Sequence, residues 1–241
     1  MKRYFMTEEE FELVIGTKEL IVKHLPGVHD QQTHAGGRKK QYADLNDFKE
    51  DMGNIVSYET RKQLEQVSES QEMETPTQTE LNMLQDYQGD AYNYVNAELR
   101  SGKGLTNEED IDITANLDSL IEKAEPLDME LVAFRGVKDP SFLASLEEGD
   151  SFVDPAFSST SLTHGIALSF AGYEAPPENQ GILLQIDLPP GTRGLFPNSA
   201  LKGKNNPFAG ENEFILPRNT KYKLISKQGK VWNVEANTDE R

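Results

Sequence analysis

From Glu130 onward, short β-type runs follow one another almost without a break, at 130–135, 151–153, 156–161, 181–188, 212–216, 221–226 and 230–235. Upstream the pattern is helical. Pro76-Thr77-Gln78-Thr79-Glu80 carries a Thr-x-x-Glu capping box, after which Leu81, Leu84 and Val95 help build an apolar face. Thr106-Asn107-Glu108-Glu109 repeats the device before Ile113, Leu117, Leu120 and Ile121. One short helix, about 163–171, interrupts the strands. Helices first and strands afterwards predict an α+β domain.

Three short segments in a fixed order carry chemistry. Leu131-Val132-Ala133-Phe134-Arg135-Gly136-Val137 reads as a buried strand with an arginine near its end. Phe157-Ser158-Ser159-Thr160-Ser161-Leu162 reads as a strand rich in hydroxyls. Phe208-Ala209-Gly210-Glu211-Asn212-Glu213-Phe214-Ile215-Leu216 sets two glutamates two residues apart before an apolar run. On a strand, positions i and i+2 share a face, so Glu211 and Glu213 would project together. Two carboxylates that close repel, and one pKa rises. Alone, each segment is satisfied by a surface ion pair, a serine-rich edge or a solvated carboxylate pair. Their order is what carries weight.

Taken together, Arg…Ser-Thr-Ser…Glu-x-Glu resembles the arginine–serine–glutamate class of mono-ADP-ribosyltransferases, the family of the binary actin-modifying toxins. A helix with two tyrosines and an asparagine accompanies these motifs in that family. Here Tyr87, Tyr92 and Asn96 stand at the same separations, followed by Leu99-Arg100. Ideal helical geometry puts Tyr92 and Asn96 on one face, with Tyr87 flanking it and Tyr94 in the core. Phe208 matches the aromatic that precedes the toxin glutamates. The resemblance covers about residues 77–235. It implies helices followed by two packed, mainly antiparallel sheets, with NAD in the cleft between them.

The same resemblance implies roles. Arg135 would pair with the pyrophosphate and Gly136 would hold the nicotinamide amide through its backbone. Ser159 would fix the rotamer of Glu213, and Thr160 beside it would join Tyr87, Tyr92 and Asn96 in binding NAD. Glu213 would accept the ribose 2′-hydroxyl and stabilise charge at the anomeric carbon, while Glu211 orients an acceptor arginine and takes its proton. Tyr173, in the loop 171–180, would cover the nicotinamide. Phe208, in the loop 196–210, would touch the target protein. The toxins often carry a second arginine in the strand after the nicotinamide loop, and Gly181–Leu188 has none, leaving Arg100 or Arg193 as substitutes. The implied activity is arginine-directed transfer from NAD. The alternatives are NAD glycohydrolysis, or a phage head-associated structural protein with a vestigial transferase domain.

Composition narrows the partners. Without cysteine there is no disulfide, thiolate nucleophile or thiolate metal site. A net charge of −17 argues against nucleic acid, whose phosphates need neutralising cations. Residues 1–125 carry a balance of −13 and residues 126–241 only −4, so the half with the candidate site suits an anionic dinucleotide better. No apolar run approaches the ~20 residues of a membrane helix, and the N-terminus turns acidic at once, unlike a signal peptide.

Residues 1–60 read as an extension with a His/Gly-containing linker, and residues 61–241 as the catalytic domain. His24, His29 and His34 recur every five residues, but a fourth ligand and a rigid turn are missing, so no metal is expected. Residues 24–34 resemble a His-Leu-Pro-Gly-x-His-Asp-Gln-x-x-His stretch of bacteriophage head-associated proteins. That resemblance implies a phage-encoded protein acting in the cytoplasm of a bacterial host, carried in or near the virion with phage head proteins.

Overall fold

The structure is a computed structural model that describes residues 42–52 and 64–238. His24, His29, His34 and the stretch resembling phage proteins lie outside the described residues.

The described helices before the strands are α1 (Leu45–Met52), α2 (Gln78–Asp86), a π-helical turn (Tyr87–Ala91), α3 (Tyr92–Ser101) and α4 (Glu108–Lys123). The capping box starts α2: the Thr77 hydroxyl accepts from the Glu80 N–H at 3.2 Å, and Glu80 Oε2 accepts from the Thr77 N–H at 2.6 Å. Glu80 also receives Ser119 Oγ and Lys123 Nζ, each at 2.7 Å, which ties α2 to α4. Burial would raise its pKa, but these donors prevail and bring it to about 2. The second capping signal works through a different residue. Asn107, not Thr106, caps α4, accepting the Glu109 N–H at 3.1 Å. Ile113, Leu117, Leu120 and Ile121 then meet Leu81, Leu84, Tyr87 and Val95 in a closed cluster.

The strands are β1 (Leu131–Val137), β2 (Ser151–Asp154), β3 (Ser158–Ser161), β4 (Ile182–Leu188), β5 (Glu213–Leu216), β6 (Thr220–Gln228) and β7 (Val231–Asn237). Two short helices, α5 (His164–Phe170) and α6 (Pro197–Ala200), lie between them. In place of two separate sheets, the strands form one hydrogen-bonded order, β2-β6-β7-β4-β1-β3-β5. Pairing is antiparallel except between β4 and β7. The β1–β4 ladder runs over seven residue pairs, whereas β1 meets β3 only at Phe134–Ser161. The β3–β5 ladder is therefore a small flap on a broad sheet.

Alternation along β1 divides the core. Leu131 and Ala133 join Leu184, Ile186, Trp232 and Val234 on one face. Val132 and Phe134 meet α1 and α5 on the other, against Leu45, Phe48 and Leu168. The stretch read as an N-terminal extension thus contributes Tyr42, Leu45 and Phe48 to the core. Tyr42 bridges to the β6–β7 turn, its N–H reaching Gln228 O at 3.1 Å and its carbonyl receiving Lys230 N–H at 2.8 Å. Gly229, at φ +63°, leaves the room this requires, since a Cβ there would stand 2.1 Å from Tyr42 O. No helix among the described residues is long and apolar enough to cross a membrane.

Candidate active site

A cavity of about 380 Å³ opens where the small flap meets the helices. Its helical wall carries Gln88, Tyr92, Asn96 and Arg100. Its strand wall carries Arg135 and Gly136 from β1, and Ser159, Thr160 and Ser161 from β3. Phe208, Glu211 and Glu213 close the end. Nine of the eleven residues proposed from sequence and resemblance therefore line one cavity; Tyr87 and Tyr173 do not.

One carboxylate organises the cationic side. Asp154, buried at the end of β2, takes Arg135 Nη1 at 2.8 Å and Arg100 in a two-pronged contact, Nε and Nη2 each at 3.0 Å. Burial opposes its charge, yet the two guanidiniums outweigh that and hold its pKa below the usual carboxylate range. Ser158 accepts from Arg135 Nη1 and donates to Asp154 Oδ2 at 3.1 Å. Arg100 thus stands beside Arg135 on the cavity, and Arg193 does not line it.

The two glutamates meet by a turn rather than a shared strand. Glu211 ends a 3₁₀ turn (Ala209–Glu211), Asn212 adopts a left-handed φ of 46°, and β5 begins at Glu213. Asparagine tolerates that conformation better than other non-glycine residues. Ser161 Oγ donates to Glu211 O at 2.6 Å and pins the turn. Glu213 is buried, and its pKa is pushed up to about 7, chiefly by desolvation, with Glu211 a smaller contributor. Hydrogen bonds from Ser159 and Gln88 pull the other way. Gln88 Nε2 donates to Glu213 Oε2 at 2.9 Å. Half-buried Glu211 has its own pKa raised by desolvation.

The π turn changes the helix reading. Its longer hydrogen-bond step, from the Tyr92 N–H to Tyr87 O, rotates the residues before the turn relative to those after it. Tyr87 is therefore fully buried instead of flanking, with its hydroxyl 2.9 Å from Asn96 Nδ2 and 3.2 Å from Ser159 Oγ. Tyr92 sits on the cavity, edge-on to Phe170 at 6.3 Å between centroids. Tyr94 is 44% exposed, so the core placement expected of it is corrected.

Further expectations change. Tyr173 does not line the cavity. Its ring lies under Lys49 Nζ at 4.0 Å, and its hydroxyl donates to Glu174 at 3.0 Å. Gly136 does line it, but its lack of a side chain serves α5, because a Cβ would stand 2.1 Å from Ala167 O. The loop 196–210, polar by composition, is fastened: Asn206 Nδ2 donates to Asn198 Oδ1 at 2.9 Å, and Gln85 Nε2 donates to Asn205 O at 2.8 Å. Sequence reasoning missed Gln88, Asp154 and Ser158. Asp154 precedes a proline at a strand end, and Gln88 sits beside Tyr87, but neither carries a local signature. Among the described residues, no group of three or more His, Asp or Glu side chains is placed to hold a metal ion.

The profile of the ADP-ribosyltransferase exoenzyme family matches residues 59–240. The chain belongs to that family. Among relatives of this exoenzyme, the NAD(+)–arginine ADP-ribosyltransferase EFV of Enterococcus faecalis is 32% identical over 145 residues. The match takes in 59% of this chain and only 28% of that longer relative. Solved structures share the fold. ADP-ribosyltransferase Vis, crystallised with agmatine, superposes with a TM-score of 0.57 at 21% identity, over 75% of this chain and 84% of that one. Exoenzyme S of Pseudomonas aeruginosa, bound to Carba-NAD and human 14-3-3 protein beta, gives 0.53 at 21% identity, over 66% and 74%. The Clostridium limosum C3 exoenzyme gives 0.55 at 15% identity, over 83% and 98%.

Proposed function

We propose that this exoenzyme transfers ADP-ribose from NAD to an arginine side chain of a target protein and releases nicotinamide. The observation that carries the reading is the pairing within one cavity of a buried, donor-held carboxylate, Glu213, with two guanidiniums fixed on Asp154. A dinucleotide needs both: cations for its diphosphate, and a negative charge beside the carbon that becomes positive in the transition state. The unpartnered buried acceptors Gln88 Oε1 and Asn96 Oδ1 suit a ligand rich in hydroxyl and amine donors.

In the proposed step, the bond from C1′ of the ribose to the nicotinamide nitrogen breaks, and its electron pair stays with nicotinamide. A guanidine nitrogen of the acceptor forms the new bond to C1′, and its proton passes to Glu211. Glu213 acts on developing charge, so it works mainly on rate. Arg100 and Arg135 hold the diphosphate, with Arg100 as the second arginine that β4 lacks, and Tyr92 stacks on the nicotinamide end. Phe208 and Glu211 face the acceptor. Thr160 supports the site through its hydrogen bond to Phe214 O, 2.7 Å long. Arginine as acceptor is supported by Glu211, whose carboxylate matches a guanidinium, by the name of the enterococcal relative, and by the agmatine bound to Vis. The stretch 24–34 supports a phage origin, action in the bacterial cytoplasm, and phage head proteins as companions.

The test is incubation with labelled NAD and a bacterial lysate beside a Glu213→Gln control. Label on discrete proteins, located on arginines and absent from the control, is the expected result. Free ADP-ribose without labelled protein would replace transfer by hydrolysis, and no NAD turnover would overturn the reading.

A further inference from the structure

We propose that Gln88 determines both the position of Glu213 and the preference for a ribose diol: its amide N–H holds the carboxylate, and its carbonyl accepts the hydroxyl next to the one Glu213 takes. This rests on NAD being the ligand.

The orientation of the amide follows from its neighbour. Against the ionised carboxylate a carbonyl would set acceptor against acceptor, and Nε2 accordingly faces Glu213 at 2.9 Å. Oε1 is thereby turned away. It is inaccessible and has no partner, in a residue only 8% exposed that lines the cavity. A buried acceptor without a donor costs free energy, and the ligand space is where a donor can arrive. The carboxylate and the amide are adjacent, 2.9 Å apart at Nε2 and Oε2, and two neighbouring hydroxyls could meet one acceptor on each.

The surrounding donors point the same way. Asn96 Nδ2 donates to the Tyr87 hydroxyl, which is then free to donate to Ser159, and Ser159 bonds Glu213. Gln88 reaches the same carboxylate from the opposite end of this chain of donors. The other charged group acting on Glu213 is Glu211 on the adjoining turn, while Tyr87 feels both Glu213 and Arg135. Tyr87, its pKa pushed up to about 12 chiefly by burial, stays neutral throughout the range in which Glu213 titrates.

Gln88→Met keeps length and removes both polar ends. Two readouts decide. In ligand-free protein, the ¹³C carboxyl resonance of Glu213 is followed against pH. Loss of a donor moves the midpoint upward, and an unmoved midpoint overturns the positioning role. Then kcat/KM is compared for NAD and for an analogue lacking the 3′-hydroxyl on the nicotinamide ribose. The unsubstituted protein should disfavour the analogue by about tenfold, and Gln88→Met should treat both alike. Equal discrimination by both proteins overturns the diol role. Should Gln88→Met fail to fold, Gln88→Asn, which withdraws the amide by one methylene, is read in the same way. If no form turns over NAD, the proposed activity fails, while the titration still decides whether Gln88 holds Glu213.

Discussion

Glu213 is a carboxylate kept largely out of water, and that placement has opposite effects on rate and stability. Activity needs the ionised form, so kcat/KM for NAD should fall as pH drops through about 7, the value to which burial raises this group. A pH–rate profile of NAD consumption checks this. The stability sign is reversed. The folded protein holds the proton more tightly than the unfolded chain, whose carboxyl titrates near 4.5. Stability is therefore undiminished below about 4.5, is lost as pH rises through about 7, and stays lower above it, by about 3 kcal/mol at one pKa unit per 1.36 kcal/mol. Glu213→Gln should remove activity yet resist denaturant better than the unsubstituted protein at pH 8, with no such gain at pH 4. Glu211 behaves differently, being half-buried on a turn and facing the proposed acceptor. Glu211→Gln should leave NAD hydrolysis within about threefold and abolish transfer to arginine, a split visible when free and protein-bound ADP-ribose are counted together.

Among the elements, β2 does more than its four residues suggest, because its last residue anchors arginines from α3 and β1. Asp154→Ala frees both guanidiniums, and the NAD dissociation constant measured by calorimetry should rise at least about tenfold. Capping is a milder matter: Thr77→Ala should cost about 1 kcal/mol in urea denaturation and leave the site intact. These elements differ in how far the chain announces them. The strands and α2 were legible because alternation and a capping box are local signals, and Leu131–Val137 and Thr77–Glu80 carry them in full. The π turn was not, since Tyr87–Ala91 differs from an α-helix only in which carbonyl each N–H chooses. Reading it as α placed Tyr87 on the wrong side. The Glu211–Glu213 turn was missed for a related reason: Asn212 permits a left-handed backbone without demanding one. Gln88 and Asp154 acquire their roles from partners 125 residues away and from 54 and 19 residues away, distances over which a linear pattern carries no signal.

For the whole molecule, Tyr42, Leu45 and Phe48 share one core with β1, β4 and β7, so α1 should not melt separately. Phe48→Ala, which empties a position only 2% exposed, should lower stability by about 3–5 kcal/mol while near-UV and far-UV signals still change together. The flap made by β3 and β5 is a different matter. It carries Ser159 and Glu213, whereas Arg135 belongs to the broad sheet, and the two ladders meet at the single pair Phe134–Ser161. With so thin a ladder, the flap is held to the broad sheet mainly by side chains, Phe214 and Leu216 in the shared core and Ser158 against Arg135. The proposed site is thus split across the joint with the fewest backbone bonds, and heat should silence the protein a few degrees before its circular dichroism changes.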